Sequence, residues 1–422
     1  MEIRAPKGVT DILPPESERW RRVEKMGIDL FRAYDYREII LPVIEHTELF
    51  NRGIGQGTDI VQKEMFSFED KGGRSLTLRP EATAGVVRAF IQNHMEKSGL
   101  PTKLYYQGPM FRHERPQAGR YRQFQQLGVE LIGSSLAVAD AEVIILCARF
   151  FKALQISAEL IINSVGDENC RPGYVEALRK YLEEHASELC VDCRRRMREN
   201  PLRVVDCKVP GCIEVVQKAP EIEAFLCEAC LEHFHQVEEA LRTAEVAAKR
   251  DGRLVRGLDY YTRTVFEFRT ASLGAQNSLA AGGRYDRLVE ELGGRPVPAT
   301  GFSIGMERVM MAGPKLPQEP DYGIYVMAIG DEARKPAFIL AQDLRDKGIR
   351  ADLDLMSRSP KAQMREADRM SFPLAVIIGK DEIEGGYLSL REMKTGEQAN
   401  IAAGELESEI RRRLERSMPP EV

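Results

Sequence analysis

Two β-rich segments joined by a short turn constrain the fold of this chain more than any other feature of its sequence. The segments read KLYYQGPMFRHE (103–114) and YRQFQQLGVELIG (121–133), and RPQAG lies between them. A proline and a glycine in such a turn predict a β-hairpin with a mobile tip. Other β-rich segments are also bounded by turn residues, namely EMFSFED, SLTLRPE, TVFEFRT and NSLAAGGRYD. Sequential strands with short turns favour an antiparallel sheet.

Four arginines lie within twelve residues of this predicted hairpin, at positions 112, 115, 120 and 122. Arginine suits a phosphate group because its planar guanidinium donates two parallel hydrogen bonds and stays charged. A charged loop that faces solvent is the alternative interpretation. No P-loop GxxxxGK[ST] and no Rossmann GxGxxG is present, and GIGQGTD at 53–59 has the wrong spacing. A bound nucleotide would therefore have to be held by a different kind of binding site.

The chain has 422 residues, which is too long for one ordinary domain. Apolar residues at helical spacing predict helices over 15–34, 83–97 and 137–155. A Cys-rich helical segment follows at about 167–248, and β-rich and helical segments alternate after residue 320. We therefore predict an α+β domain over residues 1–320, interrupted by the insertion 167–248, and a separate α/β domain over 321–422.

Composition narrows the classes of function. No stretch approaches the ~18 to 20 apolar residues that a membrane span needs. The first twenty residues lack an apolar core flanked by basic residues, so a secretory signal is not expected and the predicted location is cytoplasmic. The formal net charge is −5, so a nucleic-acid partner would have to be bound by local basic patches.

The cysteines suggest a metal site. Eight cysteines in a cytoplasmic chain are more typical of thiols or metal ligands than of disulfides. Cys190 and Cys193 form one CxxC pair, and Cys227 and Cys230 form another. Two such pairs can bind one tetrahedral zinc ion, although the gap between them is longer than in ordinary zinc ribbons. Reduced structural thiols are the alternative, and neither interpretation gives the cysteines a catalytic role.

Several segments together resemble the motifs of the class II aminoacyl-tRNA synthetases. FRHERPQAGRYRQF resembles motif 2, GFSIGMERV resembles motif 3 as a Gly-rich turn leading into a helix, and REIILPVIE, broken by Pro42, is similar to the dimer-forming motif 1. RGLDYYTRTVFEF and AAGGRYDRLV resemble the histidine-specific elements of the histidyl-tRNA synthetase family. LRPEATAG resembles the end of that family's amino-acid-binding strand. The resemblance extends over essentially the whole chain.

The resemblance implies a fold, an activity and partners. The fold is an antiparallel catalytic sheet flanked by helices, with a helical insertion and a C-terminal α/β anticodon-binding domain. The activity is that of a histidine–tRNA ligase, which joins L-histidine and ATP into histidyl-adenylate and diphosphate and then transfers histidyl to the 3′ end of tRNA-His. A cytoplasmic homodimer is implied, with Mg²⁺ bridging the leaving pyrophosphate.

The resemblance also assigns an ATP site. Arg112 matches the arginine that holds the α-phosphate, and Glu114 matches an acid that contacts ATP. Arg120 would reach the β- and γ-phosphates, Phe124 would stack under adenine, and Arg308 would lie on the far side of the nucleotide. The tip of the predicted hairpin, residues 115–117, would meet the tRNA acceptor end.

A histidine site is assigned in the same way. Glu130 and Gln126 match the residues that contact the imidazole ring, and the α-amino group would be held by Glu81 and Thr83, with Ala82 between them where the family commonly has glycine. The remaining pocket wall would be three tyrosines, at positions Tyr260, Tyr261 and Tyr285. Arg256 would add a cation over the α-phosphate, and catalytic roles fall on Arg256, Arg112 and Glu81.

Two rival functions share parts of these features. The regulatory subunit of ATP phosphoribosyltransferase has the same sheet without catalysis, but typically lacks the C-terminal domain and an intact RGLDYYTRTVFE. An RNA-binding sensor built on a synthetase-like fold is the second alternative. In this chain both the C-terminal domain and that segment are present.

Overall fold

The computed structural model describes residues 3–316 and 323–416. The chain divides into two compact units, Met1–Leu316 and Pro317–Val422. The predicted boundary between residues 320 and 321 lies outside the described residues.

The first unit is built on one large sheet with helices packed against it. Its strands, β1 to β11 in chain order, are Arg37–Glu38, Ile44–His46, Phe66–Glu69, Ser75–Leu78, Thr102–Phe111, Gln123–Ile132, Glu159–Ser164, Ala248–Arg250, Thr262–Arg269, Ser278–Arg284 and Ala299–Gly305. Its α-helices, α1 to α11, are Glu16–Ala33, Thr47–Gly53, Thr83–Gln92, Ala137–Ala153, Arg171–Glu184, Val191–Glu199, Leu202–Val205, Pro210–Val216, Glu228–Thr243, Leu288–Glu291 and Met306–Met311.

The large sheet has the strand order β1-β5-β6-β11-β10-β9-β7-β8. Every neighbouring pair from β5 to β7 is antiparallel, and only the two outer pairs, β1 with β5 and β7 with β8, are parallel. The predicted hairpin is confirmed, because β5 pairs with β6 over ten residues. A smaller sheet of order β2-β4-β3 lies in the same unit. The prediction of an antiparallel sheet is therefore confirmed.

Helix α1 covers the sheet with its apolar face. Trp20, Val23 and Phe31 are buried in a core shared with α4 and the central strands. Their spacing places them on one side of the helix, as predicted for residues 15–34. This apolar face is therefore buried within the unit, whereas the segment that follows the helix exposes apolar side chains. Ile40 there is 88% exposed and Ile44 is 47% exposed.

The Gly-rich segment before α11 is a strand, and the prediction of a turn there is wrong. Residues Ala299–Gly305 form β11, which lies inside the sheet between β6 and β10. A side chain on Gly301 would lie 2.5 Å from the carbonyl oxygen of Val129, and one on Gly282 of β10 would overlap the carbonyl oxygen of Gly301. Glycine is needed at this point for close approach between strands, not for a turn.

The insertion packs against the outer strands of the large sheet. Helices α5 to α9 lie within residues 171–243, so the prediction of a helical segment is confirmed. Its buried apolar side chains include Leu178, Leu182 and Val204, together with several of the cysteines. Ile161 and Val265 of the large sheet belong to the same core, so the insertion is held to the sheet by shared apolar packing.

The second unit is a smaller α/β body. Its strands, β12 to β16, are Gly323–Ala328, Arg350–Leu353, Leu374–Ile378, Tyr387–Glu392 and Gln398–Ala402. Its helices, α12 to α15, are Asp331–Asp346, Pro360–Arg369, Lys380–Gly385 and Leu406–Arg416. The order is β13-β12-β14-β15-β16, parallel over the first three strands and antiparallel over the last two pairs. The alternation predicted for this region is confirmed as far as β14.

Within the described residues, none of the helices is both long enough and apolar enough to cross a membrane.

Candidate active site

One cavity lies on a face of the large sheet, over strands β6, β10 and β11. Because side chains alternate along a strand, Phe124, Gln126 and Glu130 of β6 project to the same face. The structure brings all of the predicted ATP and histidine residues to the wall of this cavity. They are Glu81, Thr83, Arg112, Glu114, Arg120, Phe124, Gln126, Glu130, Arg256, Tyr260, Tyr261, Tyr285 and Arg308.

Glu130 is the buried acid at one end of the cavity. Its carboxyl accepts a hydrogen bond from the Thr83 hydroxyl at 2.7 Å and another from the Tyr285 hydroxyl. Burial raises the pKa of Glu130 to about 8, although both hydrogen bonds act in the opposite direction. In the ligand-free protein this group therefore carries a proton at neutral pH.

Gly301 makes the space that Glu130 occupies. The two residues are paired across β11 and β6. A side chain at position 301 would overlap Oε2 of Glu130. The buried carboxyl is thus accommodated by a missing side chain on the neighbouring strand.

Glu81 lies directly before helix α3. Its carboxylate accepts hydrogen bonds from the backbone N–H groups of Thr83 at 2.6 Å and Ala84 at 3.0 Å. Burial raises the pKa of Glu81, and these backbone donors oppose the rise. Ala82 has φ −106 and ψ −25, an ordinary backbone conformation for alanine, so the missing glycine causes no strain.

Aromatic rings line the cavity beside Glu130. The rings of Tyr260 and Tyr285 have centroids 5.5 Å apart, and those of Tyr260 and Tyr261 have centroids 4.7 Å apart. Gln126 is buried, and its Oε1 has no hydrogen-bond partner within residues 3–316 or 323–416. A buried polar atom of this kind is usually satisfied by a ligand or water.

Arginines gather at the other end of the cavity. The Arg112 guanidinium lies over the Phe124 ring, 5.3 Å from its centroid, and Arg112 Nε donates to the Pro80 carbonyl at 2.9 Å. Arg120 Nη1 lies 3.2 Å from Glu114 Oε2. Burial and the neighbouring charge of Arg120 lower the pKa of Arg308. Like charges that destabilise one another in the free protein suit a polyanionic ligand.

Arg256 lines the same cavity from the loop between β8 and β9. Its Nη1 donates a hydrogen bond to Glu267 Oε1 at 2.9 Å. Burial opposes the ionisation of Glu267, but the charge of Arg256, with Arg269, lowers its pKa to about 2. The salt bridge uses one nitrogen, and Arg256 Nε, also buried, has no hydrogen-bond partner among the described residues.

Glu307 and Tyr106 are among the lining residues that the sequence does not single out. Glu307 accepts a hydrogen bond from the Gln125 backbone N–H at 2.8 Å, and burial raises its pKa to about 7. Its position beside Arg308 in GMERV was the available signal. Tyr106 of β5 also lines the cavity and is buried. Its strand was predicted, but nothing in the sequence marks it out from the neighbouring tyrosine.

The two CxxC pairs do not share a site, so the prediction of one zinc ion between them is wrong. Cys190 and Cys193 lie with Cys207 and Cys212, whereas Cys227 and Cys230 lie with Cys170 and Asp167. The long gap in sequence has a structural reason, because each pair finds its partners in a different part of the insertion.

A largely antiparallel sheet that carries an arginine-lined hairpin and a glycine-bearing strand followed by a helix defines the fold of a class II aminoacyl-tRNA synthetase. A profile of the family described as "Histidyl-tRNA synthetase" matches residues 8–309, and one described as "Anticodon binding domain" matches residues 323–413.

Relatives over nearly the whole length agree. The chain is 47% identical to a histidine–tRNA ligase of Halothermothrix orenii, over 98% of this chain and 100% of that protein. It is 49% identical to a histidine–tRNA ligase of Moorella thermoacetica, over 94% and 95% of the two chains. The crystal structure of apo Staphylococcus aureus histidyl-tRNA synthetase superposes with a TM-score of 0.82 at 37% identity, covering 97% of this chain and 100% of that one. The chain belongs to the histidyl-tRNA synthetase family.

Proposed function

We propose that this chain is a histidine–tRNA ligase, which activates L-histidine with ATP and transfers the histidyl group to the 3′ end of tRNA-His. The observation that carries the proposal is the polarity of one cavity. A buried carboxyl, Glu130, lies among tyrosines at one end, and the arginines 112, 120 and 308 lie at the other. The first end suits an amino acid whose ring forms hydrogen bonds, and the second end suits a polyphosphate.

The tyrosine end recognises histidine. Glu130 accepts a hydrogen bond from a ring N–H of the substrate, and Gln126 offers the amide whose Oε1 lacks a partner among the described residues. A site that hydrogen-bonds a substrate N–H rejects analogues without it by ~10⁴ or more. Glu81 and Thr83 at the start of α3 hold the α-amino group.

The arginine end binds ATP. Arg112 holds the α-phosphate, Arg120 and Arg308 hold the outer phosphates, and Phe124 stacks against adenine, with Glu114 as a further contact. The histidine carboxylate attacks the α-phosphorus, and the bond to the bridging oxygen breaks, so pyrophosphate leaves. Arg256 and Arg112 stabilise the negative charge that develops during this step.

Magnesium belongs to the proposal as the partner of ATP. Oxygen ligands suit Mg²⁺, and Glu114 and Glu307 supply carboxylates on the wall that carries the arginines. When bound, the ion would neutralise charge on the leaving pyrophosphate.

The second unit and the hairpin tip serve the tRNA. The family match over residues 323–413 supports binding of the anticodon end of tRNA-His by that unit. Residues 115 and 117 are exposed at the tip of the hairpin and suit contact with the acceptor end.

Dimer formation and a cytoplasmic location complete the proposal. The segment after α1 exposes Ile40, Val43 and Ile44, which would be covered in a twofold contact. Eight free cysteines suit a reducing compartment.

The rival with the same sheet is not favoured. A regulatory subunit of that kind typically lacks the C-terminal domain, whereas the family match over residues 323–413 supports such a domain in this chain. Exchange of labelled pyrophosphate into ATP tests the proposal. Exchange should require histidine. Its absence, with the chain folded and ATP and Mg²⁺ saturating, would contradict the function and favour a non-catalytic paralogue or an RNA-binding sensor.

A further inference from the structure

Four cysteines converge near the middle of the insertion sequence. Cys190 and Cys193 flank the start of α6, Cys207 follows α7, and Cys212 lies in α8. Their four sulfur atoms all lie within 4.8 Å of one another. The Cys190 backbone N–H donates to Cys212 Sγ at 3.2 Å, and the Cys193 N–H donates to Cys190 Sγ at 3.4 Å. Backbone donors aimed at sulfur suit thiolates, which only accept.

A second cluster brings together residues from the beginning and from the last part of the insertion sequence. Cys170 precedes α5, and Cys227 and Cys230 flank the start of α9. With Asp167 they also place four donor atoms within 4.8 Å. Cys170 Sγ lies 3.7 Å from Cys230 Sγ and 3.4 Å from Asp167 Oδ1. The Asp167 N–H donates to Cys170 Sγ at 3.2 Å.

The two separations in the second cluster match the edges of a metal tetrahedron, and the 4.8 Å limit on the four sulfur atoms of the first cluster is compatible with one. Zinc–sulfur bonds of about 2.3 Å at tetrahedral angles place two sulfur atoms about 3.8 Å apart, and a carboxylate oxygen about 3.6 Å from a sulfur. A disulfide would need its sulfur atoms at about 2.05 Å. All eight cysteines are free, and Cys193, Cys212 and Cys230 are fully buried. Soft thiolate ligands in this geometry select zinc among common cellular divalent ions.

We propose that the insertion binds two structural zinc ions, one by Cys190, Cys193, Cys207 and Cys212, and one by Asp167, Cys170, Cys227 and Cys230. Each site has four protein ligands and no open position, which is the pattern of structural and not catalytic zinc. Each ion connects a CxxC pair at the start of a helix to two ligands from another segment of the insertion, Cys207 and Cys212 in one site and Asp167 and Cys170 in the other.

The two sites support one catalytic segment from two sides. Arg203, which lies between Cys193 and Cys207, donates to the Gly257 carbonyl at 2.9 Å and lies 3.3 Å from Asp259 Oδ1. Arg171, next to Cys170, donates to the Tyr261 carbonyl. Each zinc ion therefore fixes the backbone near one arginine, Arg203 or Arg171, and these arginines bind segment 256–263. This consequence for adenylation rests on the proposed function, whereas the metal sites themselves do not.

Metal content tests the proposal directly. The full chain is purified in reducing buffer without a metal-chelating tag, and zinc is measured by plasma emission against protein from amino-acid analysis. We expect two zinc ions per chain. Cys193→Ser and Cys230→Ser should each leave about one, because each breaks a different site. Cys147→Ser is the matched control, since Cys147 is buried in α4 outside both clusters and its variant should keep two.

Two further measurements keep the test decisive if a serine variant does not fold. Cobalt bound in place of zinc to the wild-type chain should give the visible spectrum of tetrahedral cobalt thiolate. Asp167→Cys, which supplies another zinc ligand, should retain both ions.

Three outcomes would overturn the proposal. The first is a zinc content of the wild-type chain below about 0.2 ions per chain after refolding with zinc. The second is a wild-type content near one ion per chain that falls to zero in both serine variants. The third is the presence of disulfides in the reduced preparation. The first means thiols without metal, and the second means one shared site. None of these readouts depends on adenylation, so failure of the metal sites is distinguishable from failure of the proposed function.

Discussion

Arg256 and Glu267 form a salt bridge of 2.9 Å that holds one guanidinium at the cavity wall. Glu267 belongs to β9 and is bonded by Arg269 as well, so the anchor is part of the sheet. The charges of Arg256 and Arg269 lower the pKa of Glu267 to about 2 despite its burial, so both partners of the bridge are charged at neutral pH. Titration of Glu267 therefore does not release Arg256 near neutral pH.

Removal of this cation should slow adenylation. In the proposed reaction its charge matters most when negative charge develops at phosphorus, so Arg256→Ala should lower the rate by ~10² to 10³ and change histidine and ATP binding much less. Arg256→His should be impaired similarly, because the shorter imidazole does not supply the fork. Single-turnover measurement of adenylation, and separately of transfer from histidyl-adenylate to tRNA, checks this, and transfer should suffer less.

Arg253→Ala is the matched control. Arg253 lies on the same loop but does not line the cavity, and it donates to the carbonyl of Gln217. Its variant should adenylate at close to the wild-type rate. If Arg256→Ala also stays within about threefold of wild type, Arg256 has a structural role only.

Glu130→Gln should weaken histidine binding more than ATP binding. A carboxamide can present a donor where the imidazole N–H needs an acceptor. Loss of this hydrogen bond leaves a buried donor without a partner, which costs ~1 to 3 kcal/mol and raises KM for histidine about fivefold to a hundredfold. Steady-state pyrophosphate exchange measures both constants. Glu159→Gln, at the exposed end of β7, is the control, and an unchanged KM in Glu130→Gln would exclude Glu130 from recognition.

The same substitution should stabilise the ligand-free protein, increasingly so as pH rises. Burial raises the pKa of Glu130 from 4.5 to about 8, so between these values the folded chain holds a proton that the unfolded chain releases. The free energy of unfolding of wild type must then fall as pH rises through this range, by on the order of a few kcal/mol. Glu130→Gln lacks this loss.

Urea unfolding of both proteins at about pH 5, 6.5 and 8 measures the free energy of unfolding across the range in which Glu130 titrates. The variant minus wild-type difference should grow from the first pH to the last. A difference that is constant across the series would mean that Glu130 is ionised in the free protein.

Deletion of the second unit should separate the two half-reactions. A chain ending at Leu316 keeps every residue that lines the cavity. Histidine-dependent exchange should persist, while kcat/KM for tRNA should fall at least about a hundredfold, the effect of losing a few kcal/mol of binding energy. Unchanged charging of tRNA-His by the truncated chain would contradict the assignment of that unit to tRNA.

A charge on the exposed apolar segment should separate the proposed dimer. Ile40 is 88% exposed, and a glutamate there would be buried without a partner in a twofold contact. Sedimentation at micromolar concentration should show a dimer for wild type and a shift to monomer for Ile40→Glu. Leu355→Glu, 77% exposed in the second unit, should leave the mass unchanged. A fully active wild-type monomer would refute the dimer.

Much of the site could be predicted because strands impose a simple order on their residues. Once YRQFQQLGVELIG is a strand, Phe124, Gln126 and Glu130 must share a face. The resemblance to the family then identifies the arginines and tyrosines as candidate site residues, and the structure brings them to the same cavity. The roles assigned to each of them stay predictions.

Other features depend on contacts that sequence order does not encode. Nothing near Arg256 marks Glu267 as its partner, and nothing near Cys227 marks Asp167, because folding alone brings these residues together. The strand Ala299–Gly305 was mistaken for a turn because glycine weakens strands in isolation, while here a crowded neighbour requires it. The sequence does not predict the hairpin of β15 and β16, because the side chains of β15 do not alternate between buried and exposed positions.

Gly301 limits how the specificity of this pocket can change during evolution. The residue already has the smallest possible side chain, and the atoms around it belong to backbone and to Glu130. A single substitution there can only reduce the space, never enlarge it. Any enlargement of the pocket on this side must therefore come from another position, and the side chain that fills the space is Glu130 itself. In the proposed function such a change would remove the contact to the imidazole ring together with the obstacle.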